Sequence, residues 1–315
     1  MSRLHFKQID LTQKVKEINY LQKLQTQGYF IIGIEIFDKD ISQVCHLNFD
    51  PQHSSDNYKN TALETVFNLK FDLKEIAYDF LDILLITIKS DLDSISSMAL
   101  VSMVLKNKFE LTGDLILRLK ALSLSDKHGM DNEWKLNNKY DGFHFPHYTK
   151  YGLPISLITL IGDINLNINY KIKIMSDYLI NGIFENCEKY KNKAIEKLSN
   201  VKNFTTYKII IPNSLIFVES TYRGAIGFGY RKAPIVIAKN TKYAFGKKTN
   251  REFGIKYTIA QYKENYINLE NIRSKINTLE QGWGGSKVII GSPQTNPSIL
   301  TTEQIIEIVK DHVLI

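Results

Sequence analysis

Two clusters of acidic and imidazole side chains, each just past a short β-branched run, are the residues of this chain best suited to chemistry. In "DILLITIKSDLDS", Asp91 and Asp93 stand two apart behind an apolar strand. In extended backbone, positions i and i+2 face the same way, so both carboxylates can approach one cation. An Asp-x-Asp pair at a strand end suits a hard divalent ion, and a helix starting behind it leaves backbone N–H groups for an anion. In "HLNFDPQH", Asp50 and His53 follow a second strand, with His46 ahead of them. His beside Asp suits a borderline metal such as Mn²⁺ or Zn²⁺. "SDKHGMD" adds Asp126, His128 and Asp131 in a stretch that reads as a long loop. Each cluster also has a plainer explanation: a solvated turn with an Asp helix cap, an Asp-Pro turn with exposed histidines, a polar surface loop. His144 and His147 in "FHFPHY" have aromatic neighbours and read as packing residues.

The elements that must position these groups follow from periodicity. Residues 10 to 27 form an amphipathic pattern ended by Gly28, which predicts a helix. "YFIIGIEIF" predicts a strand, "DKD" a turn, and "QVCHLNF" its hairpin partner. "TALETVFNL" and "KEIAYDFL" are helical, and "DILLITI" is a buried strand by length and β-branching. Ser94 is a candidate cap for a helix through "ISSMALVSMVLKNK", and more helix runs to about Leu124. A helical stretch from Ile168 to Leu198 reads as a connector between two domains. Beyond it, "YKIIIPNSLIFVES" predicts two strands around a Pro-Asn turn, and "APIVIAKN" and "IKYTIAQY" two more. "NLENIRSKINTLEQ" is a helix, as is "TTEQIIEIVKDHV" with its Thr cap.

The fold class is therefore α/β. An N-terminal domain over 1–165 has a mainly parallel sheet flanked by helices; a connector follows over 166–203, and a smaller α/β domain over 204–315. In a parallel sheet, coincident strand ends share one crevice, which would join the two acidic clusters.

Composition narrows the partners. The 315 residues are 43% hydrophobic and 23% charged, ordinary for a globular protein. A net charge of +7 leans towards anions, namely phosphates, nucleotides or nucleic acid, although scattered lysines equally make a solvated basic surface. Cys45 and Cys187 alone exclude a disulfide scaffold and a Cys-rich zinc site. The start has no apolar signal-like run, and "ILLITI" is too short to span a bilayer; a cytoplasmic protein without membrane contact is expected.

One further stretch stands out: "GWGGSKVIIGSP", with three glycines in four residues. Glycines this dense mark backbone that turns sharply or presses against something.

Together these pieces resemble the DHH phosphoesterase superfamily with its associated C-terminal domain, in diverged form. "KSDLDSISSMAL" looks like that family's Asp-x-Asp-Ser motif opening a helix. "LNFDPQHSSDN" is similar to the surroundings of its Asp-His-His motif, Asp50 and His53 matching the outer members. "FGIKYTIAQY", "NYINLENIRSKINTLEQ" and "GWGGSKVIIGSP" resemble the strand, helix and glycine loop of the second domain. Three departures accompany the likeness. The Asp-His-His counterpart precedes the Asp-x-Asp counterpart, Pro51 stands inside it, and Ser286 replaces the loop histidine.

The resemblance implies a metal-dependent phosphoesterase acting on a nucleotide or other small phosphorylated substrate. Asp50, His53, Asp91, Asp93 and Asp126 would hold one or two Mn²⁺ or Mg²⁺ ions, with Asp91, Asp93 and His53 catalytic. Gly282, Gly284, Gly285 and Ser286 would cradle the phosphate on backbone N–H groups. Trp283 would stack on a base or plug a domain interface. Arg223 and Lys256 would be further anion contacts; the plainer readings are a surface ion pair for Arg223 and a helix C-cap followed by a turn for the glycine loop. The alternatives are a non-catalytic nucleotide- or phosphometabolite-binding protein on the same fold, and a nucleic-acid-binding protein. An oligomer is compatible with each.

Overall fold

The computed structural model describes residues 2–50, 61–128, 149, 152–222, 224–245, 252–262, 264–293 and 295–313. Two compact units are present, and the chain passes finally from the first to the second between Ala194 and Ile195.

The first unit is a doubly wound α/β layer. Its elements are β1 (Arg3–Gln8), α1 (Lys14–Thr26, behind a short 3-10 turn), β2 (Tyr29–Ile34), α2 (Lys39–Ser42), β3 (Leu47–Phe49), α3 (Ala62–Asn68), α4 (Lys70–Asp79), β4 (Asp82–Thr87), α5 (Leu92–Leu105), α6 (Gly113–His128), α7 (Ile155–Ile161) and α8 (Ile168–Asn181). The helix α9 (Cys187–Asn203) carries the chain across the division. The four strands lie in the order β1-β4-β2-β3, every neighbouring pair parallel. Alternation along β2 explains the layering. Phe30, Ile32 and Ile34 face one way, into a core with Ile83, Leu85 and the helices α3, α5, α6, α7 and α8. Ile31 faces the other way, with Leu84, Ile86, Leu21 and Leu24 of α1, and Ile41 and Val44 around α2. Both faces of this sheet thus carry a hydrophobic core, as parallel sheets require.

Parallel pairing overturns the hairpin expected between β2 and β3. The "DKD" segment does not turn the chain back. Asp38 caps α2, its carboxylate accepting from the amides of Asp40 and Ile41 at 3.1 and 3.2 Å, and that helix returns the chain to the start of a parallel strand. Gly33 permits the close fit: a Cβ there would stand 2.8 Å from Asn48 Oδ1 and 2.8 Å from Ile36 Cγ1.

The helix α5 is buried along its whole length from Asp93 to Leu105. A helix apolar or small on every side belongs in the middle of a domain, and α5 packs against α3, α4, α6, α7, α8 and β2. The expected single connector from Ile168 to Leu198 is two helices. Gly182, at φ 74°, ends α8, which packs on α5 and β1 within the first unit.

The second unit follows β5 (Thr205–Ile211), β6 (Leu215–Ser220), α10 (Ala225–Tyr230), β7 (Ile235–Phe245), β8 (Glu252–Gln261), α11 (Leu269–Asn277), β9 (Gly284–Gly285), β10 (Ile289–Gly291) and α12 (Thr302–Lys310). Its mixed sheet runs β5-β6-β7-β8-β10-β9, parallel only between β6 and β7. Ile235, Ile237 and Ile259 pack on one face against Ile272 and Ile276 of α11 and Ile305 and Ile308 of α12. Ile216, Val218 and Val236 pack on the other face with Ala225 of α10. The Pro-Asn turn between β5 and β6 forms as expected, with Asn213 at φ 58°. Thr301 caps α12 in a reciprocal box with Gln304. Among the described residues no helix is long and apolar enough to cross a membrane.

Gly33→Ala tests the packing that holds β2 against β3. The added methyl group would force the Asn48 and Ile36 side chains apart, and the expected loss is about 1–3 kcal/mol of unfolding free energy. Denaturant melts of the two proteins check it; an unchanged midpoint would show that the neighbours yield freely.

Candidate functional site

Register decides which side chains meet. Ile34 at the end of β2 pairs with Phe49 of β3 on one side and Thr87 of β4 on the other. Three strands therefore end level, and the residues just past them leave the same edge of the sheet: Glu35 after β2, Asp50 after β3, and the loop to Asp91 and Asp93 after β4. This is the carboxyl edge, where open α/β sheets bind their ligands. Asp50 and the Asp91–Asp93 pair, 41 and 43 residues apart in the chain, thus leave a common edge.

Asp91 caps α5. Its carboxylate accepts from the Ser94 amide at 3.2 Å, the role expected of Ser94 itself. The Ser94 hydroxyl instead donates to Glu35 Oε2 across the edge. Asp93, 2% exposed, is turned into the protein. Its two oxygens accept from the amides of Ala62 and Leu63 at 2.7 and 3.0 Å, at the start of α3. The extended backbone expected to point Asp91 and Asp93 the same way is not formed: in the helical first turn they diverge, one exposed and one buried. Asp126, on α6, lies close enough for its charge to bear on Asp93.

Glu35 is one residue of this edge that sequence reasoning missed. It is half-buried and sits at φ 53°, a left-handed conformation that costs a non-glycine residue about 1–3 kcal/mol and that clusters at functional sites. Burial first, then the charges of Asp91 and Asp93, push its carboxyl up to about 8; the Ser94 hydroxyl opposes the shift. Burial and then Asp126 push Asp93 up to about 7, against the two α3 amides. The available signal was an acid interrupting the apolar run "FIIGIEIF".

Lys171 was missed as well. It belongs to α8, is 1% exposed, and donates from Nζ to Ser90 Oγ at 3.2 Å in the loop before Asp91. Burial lowers its pKa, while Asp163 and Asp91 favour the charged form. A lysine within the inward stripe of Ile168, Ile172 and Met175 was its signature in the sequence.

The donors at this edge are carboxylate oxygens, the kind Mg²⁺ and Mn²⁺ take. The charge of Asp91 raises the pKa of both Glu35 and Asp93, a repulsion that a cation relieves, so the donor chemistry fits such an ion. Among the described residues, no three His, Cys, Asp or Glu side chains form a ready-made metal centre. His53, Asp131, His144 and His147 lie outside the described residues, as does Arg223; of the His128 side chain nothing is described.

The glycine loop of the second unit has a structural explanation. Gly284 and Gly285 form β9 and pair with Gly291 and Ile290. Gly285, at φ 137°, admits no side chain, since a Cβ would stand 2.2 Å from the Ile289 carbonyl oxygen. The Ser286 amide, one of the expected phosphate donors, is spent on that carbonyl at 2.7 Å. Trp283 is a core residue, 4% exposed, and its indole N–H donates to Glu280 at 2.6 Å. Base stacking needs an open ring face, which burial removes. Gly282, at φ 97°, turns the chain into this position. Lys256 is also buried, donating to the carbonyls of Ser292 and, at 3.0 Å, Pro293, so its ammonium serves the backbone rather than an exposed anion site.

No protein-family model matches the chain, and no curated protein matches it in sequence.

The raised pKa of Glu35 sets a sign for stability against pH. A carboxyl that holds its proton more tightly when folded favours the folded state below the unfolded value of about 4.5. That contribution is lost as pH rises towards about 8. In EDTA, wild-type protein should therefore lose stability across this range more steeply than Glu35→Gln protein. Urea midpoints at intervals between those limits give both slopes; parallel slopes would mean that Glu35 titrates normally.

Proposed function

We propose that the chain is a metal-dependent phosphoesterase acting on a nucleotide or another small phosphorylated molecule, a diverged relative of the DHH phosphoesterases with permuted motif order. The observation that carries the reading is the gathering of Glu35, Asp91 and Asp93 at one carboxyl edge. Their charges oppose one another there, which is costly unless a cation is to be held. The order β1-β4-β2-β3 supports the permutation: β4 stands beside β2, so motifs in reversed chain order still leave the sheet together.

Glu35 and Asp91, with Asp50 at the next strand end, would hold the ion, and His53 is the resemblance's further candidate. When bound, a divalent cation supplies a water of lowered pKa and neutralises charge gathering on a phosphoryl oxygen. The chain's own groups prepare that place. The α3 amides fix Asp93, which anchors the first turn of α5 and with it Asp91. Ser94 fixes the Glu35 carboxyl. An anionic substrate is drawn by the net charge of +7.

A second reading, binding without cleavage, is favoured by one observation. Both oxygens of Asp93 are committed to α3, so a carboxylate of the motif is withdrawn from chemistry.

Purified protein with Mn²⁺ should release phosphate or a monophosphate from at least one member of a broad phosphoester panel. Asp91→Asn should reduce that turnover by roughly two orders of magnitude while leaving the circular dichroism spectrum unchanged. Ligand-dependent thermal stabilisation with the ligand recovered intact selects the binding protein, and a folded, Mn²⁺-loaded protein inert to the panel and stabilised by none of it refutes both readings.

A further inference from the structure

Lys171 stands where local energetics disfavour a cation. It is the fourth residue of α8, in the first turns, where the partial positive charge of the helix end repels it. It is 1% exposed, and the one hydrogen bond described for its ammonium goes to a neutral hydroxyl, Ser90 Oγ at 3.2 Å. A buried ammonium with three N–H donors is costly without an anion nearby to offset desolvation. No carboxylate oxygen forms an ion pair with it among the described residues. The compensation comes from a little further off, from Asp163 behind it and from Asp91 beyond Ser90. Asp163 already accepts from Lys193 at 3.0 Å and from the Tyr190 hydroxyl at 3.1 Å, so its charge is largely answered elsewhere. The carboxylates past β2 and β4 are the anions still crowding one another.

We infer that Lys171 is the resident counter-charge of the carboxylate edge, a positioning residue. Through Ser90 it holds the loop that carries Asp91, and its ammonium offsets the negative charge of that edge before a divalent cation arrives. The inference rests on the reading of the edge as a cation site. It has a consequence opposite in sign to that of a ligand or a mere packing residue. A cation already present opposes the arrival of a second, so removing Lys171 strengthens divalent binding instead of weakening it.

Mn²⁺ titrations at low salt, with free Mn²⁺ followed by electron paramagnetic resonance, read this directly. Lys171→Met keeps the apolar stem and removes the charge; it should bind Mn²⁺ about tenfold more tightly than wild type, the order expected for a unit charge withdrawn from near a double one at high effective dielectric. Lys171→Arg keeps the charge and should stay within about twofold of wild type on the same argument. If the Met variant does not fold, Lys171→Gln carries the same expectation and can still hydrogen-bond Ser90. Affinity unchanged or weakened in the neutral variants, with wild type binding, overturns the counter-charge and leaves the phosphoesterase reading standing. Absence of Mn²⁺ binding by wild type and variants alike overturns both.

Discussion

Crowded negative charge at the carboxyl edge of a parallel sheet is the constraint around which the first unit is arranged. Glu35 and Asp93 are both near enough to Asp91 for its charge to act on them, and each of the three is held by something specific. The start of α3 holds Asp93, a serine hydroxyl holds Glu35, and the Ser94 amide holds Asp91. None of these donors is a formal cation. Hydrogen bonding thus organises these carboxylates without itself supplying a positive charge.

Backbone geometry serves the same edge. The strain at Glu35 persists because the Glu35 amide is tied to the Phe49 carbonyl at 2.9 Å and the carboxyl to Ser94, so its conformation is determined from both ends. Gly33, two residues earlier, lets β2 and β3 approach with Asn48 bridging to Ile36 at 2.9 Å. The buried α5 transmits position from the edge to the core. Its small residues Ser94, Ser96, Ser97 and Ala99 allow close packing around its first turns. The Ser97 hydroxyl alone among buried side-chain polar atoms finds no partner among the described residues, one turn below Asp93. Such an orphan commonly marks a place for a water or an ion.

The second unit shows how a suggestive motif can be spent on structure. Its glycines make a two-residue strand and its turns, its tryptophan fills the core, and Glu280 binds the whole segment by accepting from Trp283, Ser298 and Ile299. A buried carboxylate with three donors is a well-satisfied anchor. The arrangement accounts for the conspicuous composition of "GWGGSK" without a ligand.

Periodicity and cap chemistry determined the α/β class, most of the strands and helices, and the presence of acids just past β3 and β4, because alternation, β-branching and turn residues act over a few neighbours. The edge strand β1 was not legible, since its residues 3–8 are only partly buried and alternate weakly. Local pattern could not show that β2 and β3 run parallel, nor that β4 lies beside β2, because strand pairing is settled by which apolar faces bury together over long separations. For the same reason the role of single residues escaped it. Asp91 and Asp93 look equivalent two apart in a string, but a helix turn sends one to solvent and one to the α3 amides. Trp283 and Lys256 look like ligand contacts until burial is known. Glu35 and Lys171 look like stray charges in apolar runs until three strand ends and a helix bring them to one edge. Residue type and spacing decide what chemistry a side chain can do; only packing decides which of its atoms still face outward to do it.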